Sequence, residues 1–182
     1  DTALRIAFVI TGLGTGGAEM MLEKLVSNLS PSIEVHVISL TGLGAIGPRL
    51  QALGVPVEAL GMRPGLPSPR LFARLVRRLT SLRPNVVHTW MYHADLLGGL
   101  AARLAGVRAL MWGLRHSNLD PAANKASTLR VVRLCARLSA RLPQRIACAA
   151  QRAREAHVAI GYSADRMVVI PNGFDLKRFV PD

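Results

Sequence analysis

Cysteine, lysine and aromatic residues are all scarce in this sequence, and each shortage excludes something. Two cysteines, Cys135 and Cys148, are too few for a disulfide framework, and their spacing fits no zinc pattern. A reducing compartment is the expectation. Aromatic residues make up only 4% of the chain, so no basic run is interleaved with the stacking platforms that single-stranded nucleic acid needs. Nucleic acid is therefore not an expected partner. The longest uninterrupted apolar runs are strand-sized, Ile6 to Ile10 for example, which is too short for a membrane span. No secretory signal is visible, although the sequence opens at Asp1 and leaves room for a trimmed leader. The expectation is a soluble, cytoplasmic protein.

Acidic residues are also outnumbered, 11 Asp+Glu against 23 Lys+Arg, giving a net charge of +12. Only three of the basic residues are lysine: Lys24, Lys125 and Lys177. Such a balance permits binding to nucleic acid, acidic lipid or phosphorylated substrates without choosing among them. What the chain has in quantity is apolar residues, 50% of 182, enough for one domain with a real core and too many for disorder.

Those apolar residues alternate between strand-length runs and helical patterns. Runs at Leu4–Ile10, Ile33–Leu40, Val55–Leu60, Asn85–Trp90, Arg108–Leu114, Arg145–Ala149 and Met167–Ile170 read as strands. Helices are predicted over Gly17–Leu29, Leu71–Leu82, Ala94–Ala105, Ala122–Leu142 (the longest) and Gln151–Ile160. Strands that are apolar throughout suit a parallel sheet covered on both faces, and the repeated β-α alternation makes it doubly wound. The expected fold is therefore α/β, a Rossmann-like parallel sheet of about seven strands. The Pro/Gly-rich stretch 61–69 reads as a surface loop.

Directly after the first strand, Thr11 to Glu19 reads TGLGTGGAE. Gly12, Gly14 and Gly17 give the G-x-G-x-x-G spacing between a strand and a helix. Glycines let the backbone approach an oxyanion, and the helix N-terminus then offers free N–H groups and a positive dipole end. A diphosphate suits such a loop, and a merely tight β-α turn also satisfies the spacing. A dinucleotide site further needs an acid at the end of the second strand, where the sequence has Ser39, Leu40, Thr41 and Gly42 instead. The nicotinamide-dependent oxidoreductase is thus an alternative that lacks its ribose-binding residue.

Four segments in order carry a family resemblance: Gly16-Gly17-Ala18-Glu19, Val86-Val87-His88-Thr89, Arg115-His116-Ser117-Asn118, and Val169-Ile170-Pro171-Asn172-Gly173-Phe174-Asp175. The chain from Leu4 to Pro181 resembles the N-terminal half of a family-4 retaining glycosyltransferase of the GT-B fold. Its most specific element is the I-P-N-G-x-D stretch with Phe179 four residues later. The resemblance implies an acceptor-binding domain over 1–182 that ends at an interdomain linker near 171–182. A C-terminal, donor-binding domain would complete the cleft. It also implies a nucleoside-diphosphate sugar as co-substrate, no metal or other cofactor, and a glycan or lipid-linked acceptor in bacterial surface-polysaccharide synthesis.

In this frame His116 is the candidate catalytic residue, holding the donor sugar or stabilising developing charge. Gly16 and Gly17 would offer N–H groups to the donor diphosphate. Tyr92, His93, Arg115, Ser117, Asn118 and Glu19 are candidates for acceptor or sugar contacts. Tyr92 and His93 combine an apolar body with a polar tip, and Glu19 serves equally well as a first-turn helix acid. Asn172, Gly173 and Asp175 would set the hinge through a turn needing positive φ. His88 reads as a core histidine as readily as a site residue, Asp95 as a helix cap, and His36 and His157 receive no role.

Two helices segregate arginine from apolar surface. One carries Arg70, Arg74, Arg77 and Arg78; the other carries Arg130, Arg133, Arg137 and Arg141, with no acid between Asp120 and Glu155. A solvated outer face explains both. Attraction to an anionic inner leaflet, worth about 1 kcal/mol per basic residue, is the sharper expectation. A non-catalytic basic binding module remains the other alternative.

Overall fold

Apolar runs bounded by glycine or polar residues yield short strands, and amphipathic segments between them yield helices. The computed structural model describes residues 3–63, 68–116, 118–120, 122 and 124–173. Its order is β1 (Arg5–Ile10), α1 (Gly17–Ser27), β2 (Glu34–Ser39), α2 (Ile46–Ala52), β3 (Val57–Ala59), α3 (Pro69–Leu82) and β4 (Val86–Trp90). There follow α4 (Tyr92–Leu104), β5 (Ala109–Leu114), α5 (Ala126–Leu138), β6 (Arg145–Cys148), α6 (Gln151–Ala159) and β7 (Met167–Val169). One sheet holds all seven strands in the order β3-β2-β1-β4-β5-β6-β7, with every neighbouring pair parallel. This is the Rossmann-like α/β architecture expected from the sequence.

Two element assignments need correction. Helix α2 is absent from the sequence expectation, because Gly47 and Pro48 in its first turn hide the spacing of Ile46 and Leu50, which pack inward. Proline is tolerated there because first-turn N–H groups have no helical partner. The longest helix is not the segment at 122–142: α5 spans 13 residues and α3 spans 14. In α3, Ser68 accepts from the Leu71 N–H at 3.3 Å with Pro69 at the first helical position, so both start signals coincide.

The sheet has a core on each face. Phe8, Ile10, Val37 and Trp90 pack against Leu22 and Val26 of α1 and Ile46 and Leu50 of α2. On the other face Val9, Val87, Leu110 and Trp112 meet α3, α4 and α5. Leu75 and Leu79 of α3 are 1% and 0% exposed, and each contributes about 2 kcal/mol by leaving water. Helix α4 lies close on the strands because Gly98 and Gly99 have no side chain. A Cβ on Gly98 would come within 3.0 Å of Val9 and Thr89, and one on Gly99 within 2.9 Å of the Trp112 indole nitrogen. Both cysteines are fully buried, as small core residues.

This topology fixes where a ligand can bind. From β1 the chain winds toward β2 and β3, whereas from β4 it winds the other way, so β1 and β4 flank the switch point. The register pairs Ile10 with Trp90 and Trp90 with Gly113. The loops after β1, β4 and β5 therefore leave the sheet at one level.

Candidate functional site

The glycine loop leads into α1 with Gly16 as its N-cap and no side-chain cap hydrogen bond. Gly14 through Gly17 are exposed. Glu19, in the first turn, folds back over this loop: a Cβ on Gly16 would stand 2.5 Å from Glu19 Oε2. Beside the loop, the hydroxyls at the end of β2 are already engaged. Ser39 donates to the Gly42 carbonyl at 2.7 Å, and Thr41 donates to the Thr11 carbonyl at 2.9 Å. The place where a dinucleotide fold keeps its ribose acid thus holds a buried and a half-buried hydroxyl, both tied to nearby backbone.

Between β4 and α4 the chain turns through Met91, whose φ of 73° and ψ of 155° belong to a region open almost only to glycine. Nothing in the sequence signals this strain, which sits at the switch point and aims the first turn of α4. Tyr92, expected to line an acceptor pocket with its polar tip, points inward. It is 5% exposed, and its hydroxyl meets His157 Nε2 at 2.8 Å. His157 Nδ1 lies 2.6 Å from the Ala153 carbonyl, which can only accept, so Nδ1 carries the proton. Burial lowers the His157 pKa and keeps the ring neutral. Nε2 is then an acceptor and Tyr92 donates to it. His93 is half-buried, and its pKa is lowered by that burial.

Asp95 does not cap α4, since Met91 holds that position. It is fully buried in the helix, accepting from Thr89 Oγ1 at 2.5 Å, while its Oδ2 has no partner. Burial raises its pKa to about 8, against smaller opposing effects from Thr89, the Gly113 backbone and the Arg115 charge. His88 lies inside β4 between Phe8 and Trp90, with ring centroids 5.6 and 5.4 Å away. It is half-buried: Nε2 is buried and unpartnered, and burial with the nearby Arg115 charge lowers its pKa to about 3.

After β5, Arg115 turns back over Trp90, its guanidinium carbon 3.8 Å from the ring centroid. Nη1 donates to Asn172 Oδ1 at 3.0 Å. Burial lowers the Arg115 pKa. His116 is exposed and stacks on Tyr92, with ring centroids 6.1 Å apart. Tyr92 therefore lies as a platform beneath His116. Asn118 spends its side-chain oxygen on the Asp120 N–H at 2.9 Å, so it shapes its own loop. Ser117, Phe174, Asp175 and Phe179 lie outside the described residues. Gly173 does not adopt positive φ, contrary to expectation. Instead Asn172 and Gly173 reach the domain through Arg115 and through Lys24, whose Nζ donates to the Gly173 carbonyl at 2.7 Å. Among the described residues no three His, Cys, Asp or Glu side chains gather as a metal set.

The two arginine helices differ in their surroundings. Arg74 and Arg78 of α3 both pair with Glu58 at 2.8 Å. Arg130, Arg133 and Arg137 of α5, and Arg141, which lies in the turn beyond the end of that helix and not on it as expected, are exposed, and among the described residues none has an acid partner. Arg133 and Arg137 flank a groove of about 520 Å³ floored by Leu129, Val132 and Ala136. No helix among the described residues is long and apolar enough to cross a membrane.

Among solved structures, the chain superposes on Anabaena HepE in complex with UDP, with a TM-score of 0.76 and 25% identity. That match covers 96% of this chain and 45% of HepE. The lipopolysaccharide outer core galactosyltransferase WaaB matches at TM-score 0.64 and 16% identity, covering 95% of this chain and 47% of its own. A UDP-N-acetylglucosamine 2-epimerase from Rickettsia bellii matches at TM-score 0.60 and 11% identity, over 93% and 45% of the two chains, so the fold alone does not choose the chemistry. The chain spans about half the length of these structures. No curated protein matches. The sequence model of Glycosyltransferase Family 4 matches residues 15–178, and the chain belongs to that family.

Proposed function

We propose that this chain is the acceptor-binding half of a retaining glycosyltransferase, completed by a donor-binding domain across the cleft. A nucleoside-diphosphate sugar would supply the sugar, and UDP in the HepE structure supports that class of donor. The observation that carries the reading is the convergence, at the carboxyl ends of β1, β4 and β5, of the glycine loop, the strained Met91 turn and the Arg115–His116 loop in a chain of this family. In the step, the bond from the anomeric carbon to the diphosphate breaks and a bond to the acceptor hydroxyl forms on the same face. The hydroxyl proton leaves with the diphosphate.

Residues of this chain would act mostly by position and charge. Gly16 and Gly17 offer the N–H groups at the start of α1 to the diphosphate. His116, fixed from below by Tyr92, holds the donor sugar, and His93 and Glu19 border the acceptor. The reading assigns no resident metal or cofactor. We place the enzyme on the cytoplasmic side, with the α5 arginines facing anionic lipid and a glycan or lipid-linked acceptor of surface-polysaccharide synthesis in the cleft. On this reading the 182 residues alone do not turn over.

Two measurements test it. The intact mass of the native gene product is expected to be about twice the 19.6 kDa of this chain. In that product, His116→Ala should reduce sugar transfer from a panel of UDP-sugars by about a hundredfold, with an unchanged melting temperature. Undiminished turnover would remove His116 from the site.

A further inference from the structure

Arg115 and Lys24 come from elements far apart in sequence, yet they end on successive residues of one short strap. Arg115 donates to Asn172 Oδ1 at 3.0 Å and Lys24 to the Gly173 carbonyl at 2.7 Å. Neither cation has an acid partner among the described residues. The contrast with other arginines is direct. Arg5 and Arg78 each hold a carboxylate, and Arg103 spends three nitrogens on the carbonyls of Leu142, Val107 and Arg108. Arg115 uses one nitrogen, and its Nε is buried without an acceptor.

The strap is held lightly. Ile170 donates its N–H to the Cys148 carbonyl at 2.9 Å, and beyond it Pro171 has no N–H to give. No backbone hydrogen bond ties residues 171–173 to the sheet among the described residues, so the two cationic side chains are what fasten them. A partly desolvated guanidinium given only neutral oxygens is under-compensated, whereas phosphate oxygens match it in charge and in fork geometry. Trp90 sets the plane of that fork in advance.

We propose that Arg115 and Lys24 form a two-point site for a phosphate-bearing ligand, in which the oxygens of Asn172 and Gly173 stand until the ligand displaces them. Binding then releases the strap, and fastening the strap lowers apparent affinity by the fraction of molecules in which it is closed. The assignment stands on the cations and the strap, not on sugar transfer, so it fails or holds separately from turnover.

The test is titration of the 182-residue chain with inorganic pyrophosphate, read by indole fluorescence, since Trp90 touches Arg115. Saturable binding is expected, weakened about tenfold by Arg115→Ala or Lys24→Ala and less by Arg115→Lys. Asn172→Ala removes the competing oxygen and should tighten binding by about fivefold. UDP in a parallel arm separates sources: equal affinity assigns recognition to the phosphates alone, and tighter UDP binding adds the nucleoside. Absence of binding, sulfate binding as tightly as pyrophosphate, or weaker binding by Asn172→Ala would overturn the proposal. Thermal melts of each variant separate a lost site from a lost fold.

Discussion

The buried carboxyl of Asp95 should make stability fall as pH rises through neutrality. Burial holds its folded pKa at about 8 against 3.8 in the unfolded chain. Between those values the folded state keeps the proton and the unfolded state releases it, so stability declines with pH, by at most about 1.4 kcal/mol per unit. His88 acts with the opposite sign. Its pKa is lowered from 6.5 to about 3, so the unfolded chain gains a proton below 6.5 and stability falls as pH drops. From about pH 4 to 6.5 the Asp95 and His88 slopes cancel, and the lowered pKa values of His93 and His157, which carry the sign of His88, leave a net fall in stability toward acid. Above 6.5 the histidine contributions fade over about one pH unit, and the difference between wild type and Asp95→Asn isolates Asp95. Integrating its titration from pH 6.5 to 8 gives a loss of about 1.5 kcal/mol. Urea unfolding followed by circular dichroism at half-unit intervals measures that slope directly. Asp95→Asn keeps an acceptor for Thr89 but cannot ionise, and its curve should lack this loss over the same interval. Parallel curves for wild type and variant would show that Asp95 is ionised inside the fold, and the burial argument would be wrong.

Three further outcomes follow from particular contacts. Gly44 has a φ of +50°, and a Cβ there would run into the Leu13 carbonyl; Gly44→Ala should cost about 2 kcal/mol or more in urea, while Gly54→Ala, at φ +79° in open space, should cost about 1 kcal/mol. Tyr92→Phe leaves His157 Nε2 buried without its donor and should cost about 1–3 kcal/mol in the same assay. Replacing Arg130, Arg133, Arg137 and Arg141 by Gln should abolish co-sedimentation with vesicles rich in phosphatidylglycerol, each arginine contributing about 1 kcal/mol; equal recovery of wild type with neutral and anionic vesicles would remove the membrane from the reading.

The strands were legible because each is a local run of apolar residues, and the order of β and α segments with right-handed crossovers leaves few sheets to choose from. Loops after β1, β4 and β5 could be placed at one edge for the same reason. What local pattern cannot supply is the partner arriving from another element. Tyr92 has an amphipathic side chain next to a strand end, which favours a pocket wall. His157, 65 residues away, turns it into a core residue instead. Proximity in sequence groups Arg115 with Ser117 and Asn118, yet its bond is to Asn172, 57 residues on, and its plane is set by Trp90 of the neighbouring strand. Asp95 follows the same rule: a first-turn acid reads as a cap until Thr89 on the adjacent strand claims its oxygen. Backbone strain at Met91 is harder still, since no residue type announces it and only the closure of β4 onto α4 imposes it. A histidine without chemical neighbours in the sequence is therefore not idle. His157 holds the hydroxyl of the ring on which His116 rests, so the outermost candidate at this site depends on a residue that no local pattern singles out.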